Sequence, residues 1–227
     1  MAKVLHKISL DVPPDTGRDF LTKLMGGRLN QQLEDLLAEK KYQCLQAIQP
    51  QAIYDLFEIE KIKGESVWFS SGHRFNGPNI SKILLGSKLA LIYICTLGHQ
   101  VDQLIKQNSE SGDTLSTIVM DAVTTSFLTL LGEQFATIAR QQGLQQPGWQ
   151  ATCSYSPGQY KWTIEEQKEI FKMVDGSQIG VNLNPSYLMM PFKSISGVYG
   201  FGPEHEIDKT RVACQLCPRH DCISRRT

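Results

Sequence analysis

The segment KLALIYICTLG, residues 88–98, carries the β-branched and aromatic content of a buried strand, and Gly98 lets the chain turn at once into HQVDQLIKQ. After it comes GDTLSTIVMDAVTTSFLTLLGEQFATIARQQG, the longest periodic stretch of the chain. It starts at a cap-like Asp113 and ends at Gly143. A stripe of Leu115, Ile118, Val119, Ala122, Val123, Leu130 and Phe135 marks it as a central core helix.

Upstream, LNQQLEDLLAEKKYQCLQAI sets Leu29, Leu33, Leu36, Leu37, Cys44 and Ile48 on one helical stripe, with Pro50 as its stop. IYDLFEIEKIKGESVWFS then alternates, Phe57 and Ile59 going out and Val67 and Phe69 returning after Lys63-Gly64, which predicts an antiparallel hairpin. Downstream, ATCSYS reads as a short strand, and Thr163 with Glu166 three residues later matches a capping box for a helix from Ile164. QIGVNL reads as a strand, PSYLMM as a turn of helix stopped by Pro191, and SISGVYGFG as a strand whose glycines allow bends or a close backbone approach. Strands and helices are mixed without strict βαβ alternation. The expected class is therefore α+β with a mostly antiparallel sheet.

The chain has 227 residues, enough for one substantial core, and 23 basic against 23 acidic side chains leave no net charge. No global field draws it toward nucleic acid or an anionic membrane. No Gly-rich turn opens a helix after a strand and no Gly-Lys-Ser/Thr loop appears, so nucleotide-binding motifs are absent. The N-terminus lacks a signal-like apolar run, and LALIYIC is far short of a membrane span. The expectation is a soluble, cytoplasmic protein in which Cys44, Cys95 and Cys153 are buried thiols. His6, His73, His99 and His205 have no nucleophile arranged beside them as in a hydrolytic triad.

Three stretches in fixed order, YICTLGHQVDQLI with GDTLSTIVMDAV, SYSPGQYKWTIEEQKEIFKMV, and IGVNLNPSYLMMPFKSISGVYGF, resemble the activation domain of cobalamin-dependent methionine synthase, and more closely its small stand-alone relatives. The likeness spans residues 50–203. It implies a C-shaped α+β fold, one domain over 1–205 and a Cys-rich tail over 206–227. It also implies a role beside a corrinoid protein or methyltransferase subunit. Such domains bind S-adenosylmethionine and hold the cobalamin-bearing partner, so that inactive cob(II)alamin, reduced by an electron from another protein, is trapped by methylation.

The family's ligand stretch reads Arg, two residues, Pro-Gly-Tyr. Here Ser154 stands for the arginine and Gln159 for the tyrosine, while Pro157 and Gly158 are kept and Ser156 lies between. A hydroxyl does not replace the bidentate charge-assisted pair of a guanidinium with a carboxylate, a loss of about 1.5–3 kcal/mol. The family's acidic partner, by ungapped matching, falls near Thr125, which carries no charge. S-adenosylmethionine is therefore expected to bind weakly unless Arg140, Lys161 or Glu133 supplies the missing charges. Tyr199 matches the family's tyrosine. Each of these residues also has a plain structural reading: Pro157-Gly158 is a good β-turn in any protein, and a strand tyrosine is often core.

The tail VACQLCPRHDCISRRT sets Cys214 and Cys217 as C-x2-C with Cys222 four residues on and His220 among them. Three thiolates plus His220 make a tetrahedral zinc set, with the histidine awkwardly close to its neighbouring ligand. Three thiolates holding an iron–sulfur cluster, a reduced thiol tail, and an opportunistic disulfide are the alternatives. Arg219, Arg225 and Arg226 read as a solvated basic end.

Overall fold

Sequence-adjacent residues of the 88–98 segment serve two different cores. Leu91, Tyr93 and Cys95 enter one, Ala90, Ile92 and Ile94 the other. A strand covered on both faces has no polar side, which is why the segment reads as an unbroken apolar run.

The computed structural model describes residues 2–208 and 213–222; Arg225 and Arg226 lie outside them. In chain order the elements are β1 (Lys3–Leu5), α1 (Arg18–Met25), α2 (Gln31–Ala47), β2 (Gln51–Lys63), β3 (Ser66–Phe69), β4 (Arg74–Asn76), α3 (Pro78–Ile83), β5 (Leu89–Thr96), α4 (His99–Glu110) and α5 (Thr114–Gly143). They continue with β6 (Trp149–Ala151), α6 (Gln167–Met173), β7 (Asn182–Leu183), β8 (Met189–Met190), β9 (Ser194–Pro203) and α7 (Ala213–Leu216). The main sheet runs β4-β3-β2-β5-β9-β6, with β1 added to β2, and every pairing is antiparallel. This is the α+β, antiparallel architecture that the sequence implies.

One face of the sheet is covered by α1, α2, α4 and α5, whose side chains share a core with Tyr54, Tyr93, Tyr199 and Phe201. The other face holds α3, α6, Phe75, Tyr155 and Trp162. Among the described residues α5 is the one helix long and apolar enough to cross a membrane, and here its buried residues pack against β5 and β9. Phe127 and Leu131 carry its core face together with Val119 and Phe135, whereas Leu115 is exposed.

The starts of α2 and α5 are set by side-chain caps. Asn30 Oδ1 accepts from Leu33 N–H at 2.9 Å, and Asp113 Oδ1 accepts from Ser116 N–H at 3.0 Å while Oδ2 accepts from the Ser116 hydroxyl at 2.6 Å. These bonds hold the Asp113 carboxyl below its ordinary range. Asp113→Ala is expected to lower the urea midpoint; an unchanged midpoint would mean that α5 does not depend on this cap.

Several local expectations are corrected. Thr163 makes no cap bond, because Glu166 instead accepts from Asn76 N–H at 2.7 Å and ties the start of α6 to the edge strand. PSYLMM is not helical: β7 and β8 form a hairpin, closed where Asn184 Oδ1 accepts from Ser186 and Leu188 N–H at 2.9 and 3.0 Å. Gly143 is the last residue of α5, as expected, and a Cβ there would stand 2.3 Å from the Phe201 ring, so helix and strand touch there only because the side chain is missing.

Candidate functional site

The strand expected over residues 151–156 is broken, and the break builds the site. Regular pairing ends after Ala151↔Phe201, Thr152 Oγ1 accepts the Gly200 N–H at 2.9 Å, and pairing returns as a single bridge at Tyr155↔Val198. Between those pairs the 151–155 strand carries one residue more than β9, a bulge at Cys153 and Ser154. The bulge turns Ser154 toward β5. Its Oγ lies 2.8 Å from the Tyr93 phenol oxygen.

Gly197 makes this contact possible. It pairs with Tyr93, and a Cβ there would lie 3.0 Å from the Tyr93 oxygen, 3.0 Å from Ser156 Oγ and 2.8 Å from the Tyr155 carbonyl. The bare backbone lets the phenol pass over β9 to the bulge. Ser156 donates its hydroxyl to the Ser196 carbonyl at 2.6 Å, and Ser196 in turn donates to Gln167 Oε1 at 2.8 Å. Three hydroxyls, of Tyr93, Ser154 and Ser156, are thus gathered above one glycine.

Pro157-Gly158 forms the turn that follows. Gly158 has φ 88, its N–H donates to the Trp162 carbonyl at 2.8 Å, and Gln159 Oε1 accepts from Ser156 N–H at 3.1 Å. Gln159 therefore closes the turn on itself. Trp162 anchors the loop from below, stacked on Tyr155 with ring centroids 5.5 Å apart. Burial raises the Tyr155 phenol above its ordinary value, a hydrogen bond with Asn79 opposes this, and the Cys153 and Cys217 thiols push the same way as burial.

Tyr199 is buried and stacks with Tyr93 at 5.6 Å, while Phe135 of α5 lies 4.8 Å from Tyr93. Structure thus brings Ser154, Ser156 and the Tyr199 ring to one locality through Tyr93. The sequence reading missed Tyr93, since only the register of β5 against β9 places it.

Thr125 is not near this locality. Its hydroxyl lies 2.8 Å from Lys193 Nζ, which also pairs with Asp121 Oδ1 at 2.8 Å, at the start of β9. Along α5, Gly132 sits against Ile195 and Gly143 against Phe201, so the part of the helix level with Gly197 and Tyr199 lies between them. Glu133 and Arg140 fall there, two turns apart and exposed. Lys161 has φ 59 and holds its ammonium 5.3 Å from the Tyr160 ring centroid. Asp121 and Lys193 instead line a separate cleft of about 790 Å³ between α4 and the β8–β9 corner, with Met190 and Phe192.

Of the tail, α7 and the residues to Cys222 are described. Cys214, Cys217 and Cys222 are half-buried and His220 is exposed. Among the described residues no group of three or more His, Cys, Asp or Glu is placed to hold a metal. The set of three thiolates with His220 is not assembled.

No protein-family model and no curated protein matches the chain. Among solved structures, the crystal structure of the MetH reactivation domain bound to AdoHcy superposes with a TM-score of 0.65, over 94% of this chain and 81% of that one, at 14% identity. The chain has the reactivation-domain fold.

Proposed function

We propose that the chain is an accessory protein of a corrinoid-dependent methyl-transfer system, which docks on a cobalamin-bearing partner and presents an S-adenosyl ligand at the Ser154–Gln159 turn. The observation that carries the reading is the bulge: a reactivation-domain fold in which Ser154 and Ser156 are turned toward Tyr93 over Gly197. The turn N–H groups are spent within the fold, but the Ser154 and Ser156 hydroxyls keep acceptor capacity for the neutral parts of such a ligand. Its carboxylate and ammonium would need Arg140, Lys161 or Glu133, all exposed, to reach the turn.

Calorimetric titration with S-adenosylmethionine and AdoHcy tests the reading. Binding is expected to be weak, and Ser154→Arg to tighten it by about 10–100-fold, the fold-change equivalent of a restored charge-assisted pair. Gly158→Ala, strained at φ 88, and Tyr199→Phe are expected to weaken it. If neither ligand binds the parent or Ser154→Arg, and no corrinoid protein co-purifies, the reading is lost.

A further inference from the structure

Two surfaces of different character meet beside the β8–β9 corner. Helix α4 sends Asp102, Ile105 and Lys106 into the cleft of about 790 Å³, at the spacing that puts side chains on one helical face, and the corner supplies Met190 and Phe192 opposite them. That volume falls within the roughly 300–1,000 Å³ of small-molecule sites, which combine apolar walls with a few placed polar groups. The corner does not fold its apolar side chains away. Asp102 accepts from Phe192 N–H through Oδ2 and from Lys193 N–H through Oδ1, the latter at 3.4 Å, so the backbone is tied to α4 and the Phe192 side chain is left 61% exposed. An apolar ring that its own backbone holds in water gains by being covered.

The charges of the cleft have an inside and an outside. Lys193 is the inner member of its ion pair, its side chain 11% exposed and its Nζ 2.8 Å from both Asp121 Oδ1 and Thr125 Oγ1. Asp121 is the outer member, 57% exposed, and its Oδ2 takes no hydrogen bond among the described residues. At the rim Lys106 and Glu110 lie 3.7 Å apart and offset each other, while Asp102 has no ion-pair partner among the described residues. One carboxylate is therefore in excess, and a group entering the cleft meets Asp121 before the covered ammonium of Lys193. We propose that this cleft binds a small organic amine, its ammonium on Asp121 and its apolar body between Ile105 and the Met190–Phe192 corner. The exposed Phe192 ring adds the attraction of an aromatic face for a cation. The association is non-covalent. It stands independently of what the Ser154–Gln159 turn binds, because the cleft is separate from that turn.

The test titrates the full chain with three probes, followed by calorimetry and saturation-transfer NMR: 2-phenylethylammonium, 3-phenylpropionate as its anionic counterpart, and acetyl-phenylalanyl-lysine amide as a protein-like source of the same ammonium. The amine is expected to bind more tightly than either of the others. Asp121→Asn is expected to lower its affinity by at least about 10-fold, as loss of a charge-assisted hydrogen bond requires. Phe192→Ala changes an exposed side chain and leaves the Asp102 contact of its backbone in place; it is expected to lower the affinity by about 2–5-fold, the equivalent of a cation–π contact. A parent that does not bind the amine, or an affinity unchanged in Asp121→Asn or in Phe192→Ala, would overturn the site. Equal or tighter binding of phenylpropionate would overturn the sign of the ligand's charge, and equal or tighter binding of the peptide would overturn the assignment to a free amine in favour of a lysine of a partner protein.

Discussion

Trp162→Ala is expected to lower the unfolding free energy by about 3–5 kcal/mol, a large share of the 5–15 kcal/mol typical of a domain. The indole is 1% exposed, lies parallel to Tyr155 at an interplanar angle of 6°, and meets Phe75 edge-on at 5.3 Å. Its Nε1–H has no hydrogen-bond partner among the described residues, so packing, not hydrogen bonding, is what it contributes. Trp162→Phe keeps a ring in the stack but loses part of the indole's volume together with the unpaired donor. It is expected to cost less than Trp162→Ala. The loop depends on the same residue, since the Trp162 carbonyl holds Gly158 N–H and its own N–H donates to the Gln159 carbonyl at 2.9 Å. Urea midpoints for the two variants decide the matter: equal losses would show that the hydrogen-bonding edge matters, and no loss in Trp162→Ala would show that the second core is not closed around this ring.

Elements with an internal signal were legible in the sequence. The 31–47 helix, the 51–69 hairpin, β5, α5 and β9 each announce themselves by period, by an apolar run or by a cap, and all appear within a few residues of their expected ends. The misses came where a residue's partner is distant in sequence. Glu166 satisfies the capping-box pattern, yet its carboxylate is used by Asn76, ninety residues away. Gly143 ends α5 as expected, yet the approach of Phe201 that it permits comes from a strand distant in sequence. Neither partner can be read from a local window.

The candidate site divides in the same way. Ser154, Ser156, Pro157, Gly158, Gln159 and Tyr199 could be named from the sequence because they lie in two ordered stretches that resemble a known domain. Tyr93 could not, and of Gly197 only its capacity for a close backbone approach could, although the two hold the locality together. Their contact exists only in the pairing of β5 with β9, together with the extra residue that lifts Ser154 out of the ladder. Ungapped matching put the acidic partner at Thr125, which Lys193 occupies instead. Helix α5 advances about 1.5 Å per residue against about 3.4 Å for the strand beside it, so a small error of alignment on a helix moves a candidate by whole turns relative to the strand.

Alkaline pH is expected to unfold the chain partly through Cys44. Burial pushes its thiol up to about 12 from 9.0, with Lys193 and Lys40 pulling the other way, and burial acts in the same sense on Cys95. Below pH 9 the thiol is protonated in both folded and unfolded chains and has no effect on the balance. Above it the unfolded chain sheds the proton while the folded chain keeps it, so stability falls with rising pH until about 12, where the folded thiol ionises as well. Over those three units, at 1.36 kcal/mol each, the loss from this one group is on the order of 4 kcal/mol. Cys44→Ala opens a small cavity and is expected to cost on the order of 1 kcal/mol at neutral pH. Its stability should then decline less steeply than the parent's, and the two curves should cross above pH 9. Because every other titrating group is common to both proteins, the difference between the curves isolates Cys44. Parallel curves would mean that the thiol ionises as readily in the folded chain as in the unfolded one, and that the core between α2 and the sheet admits water.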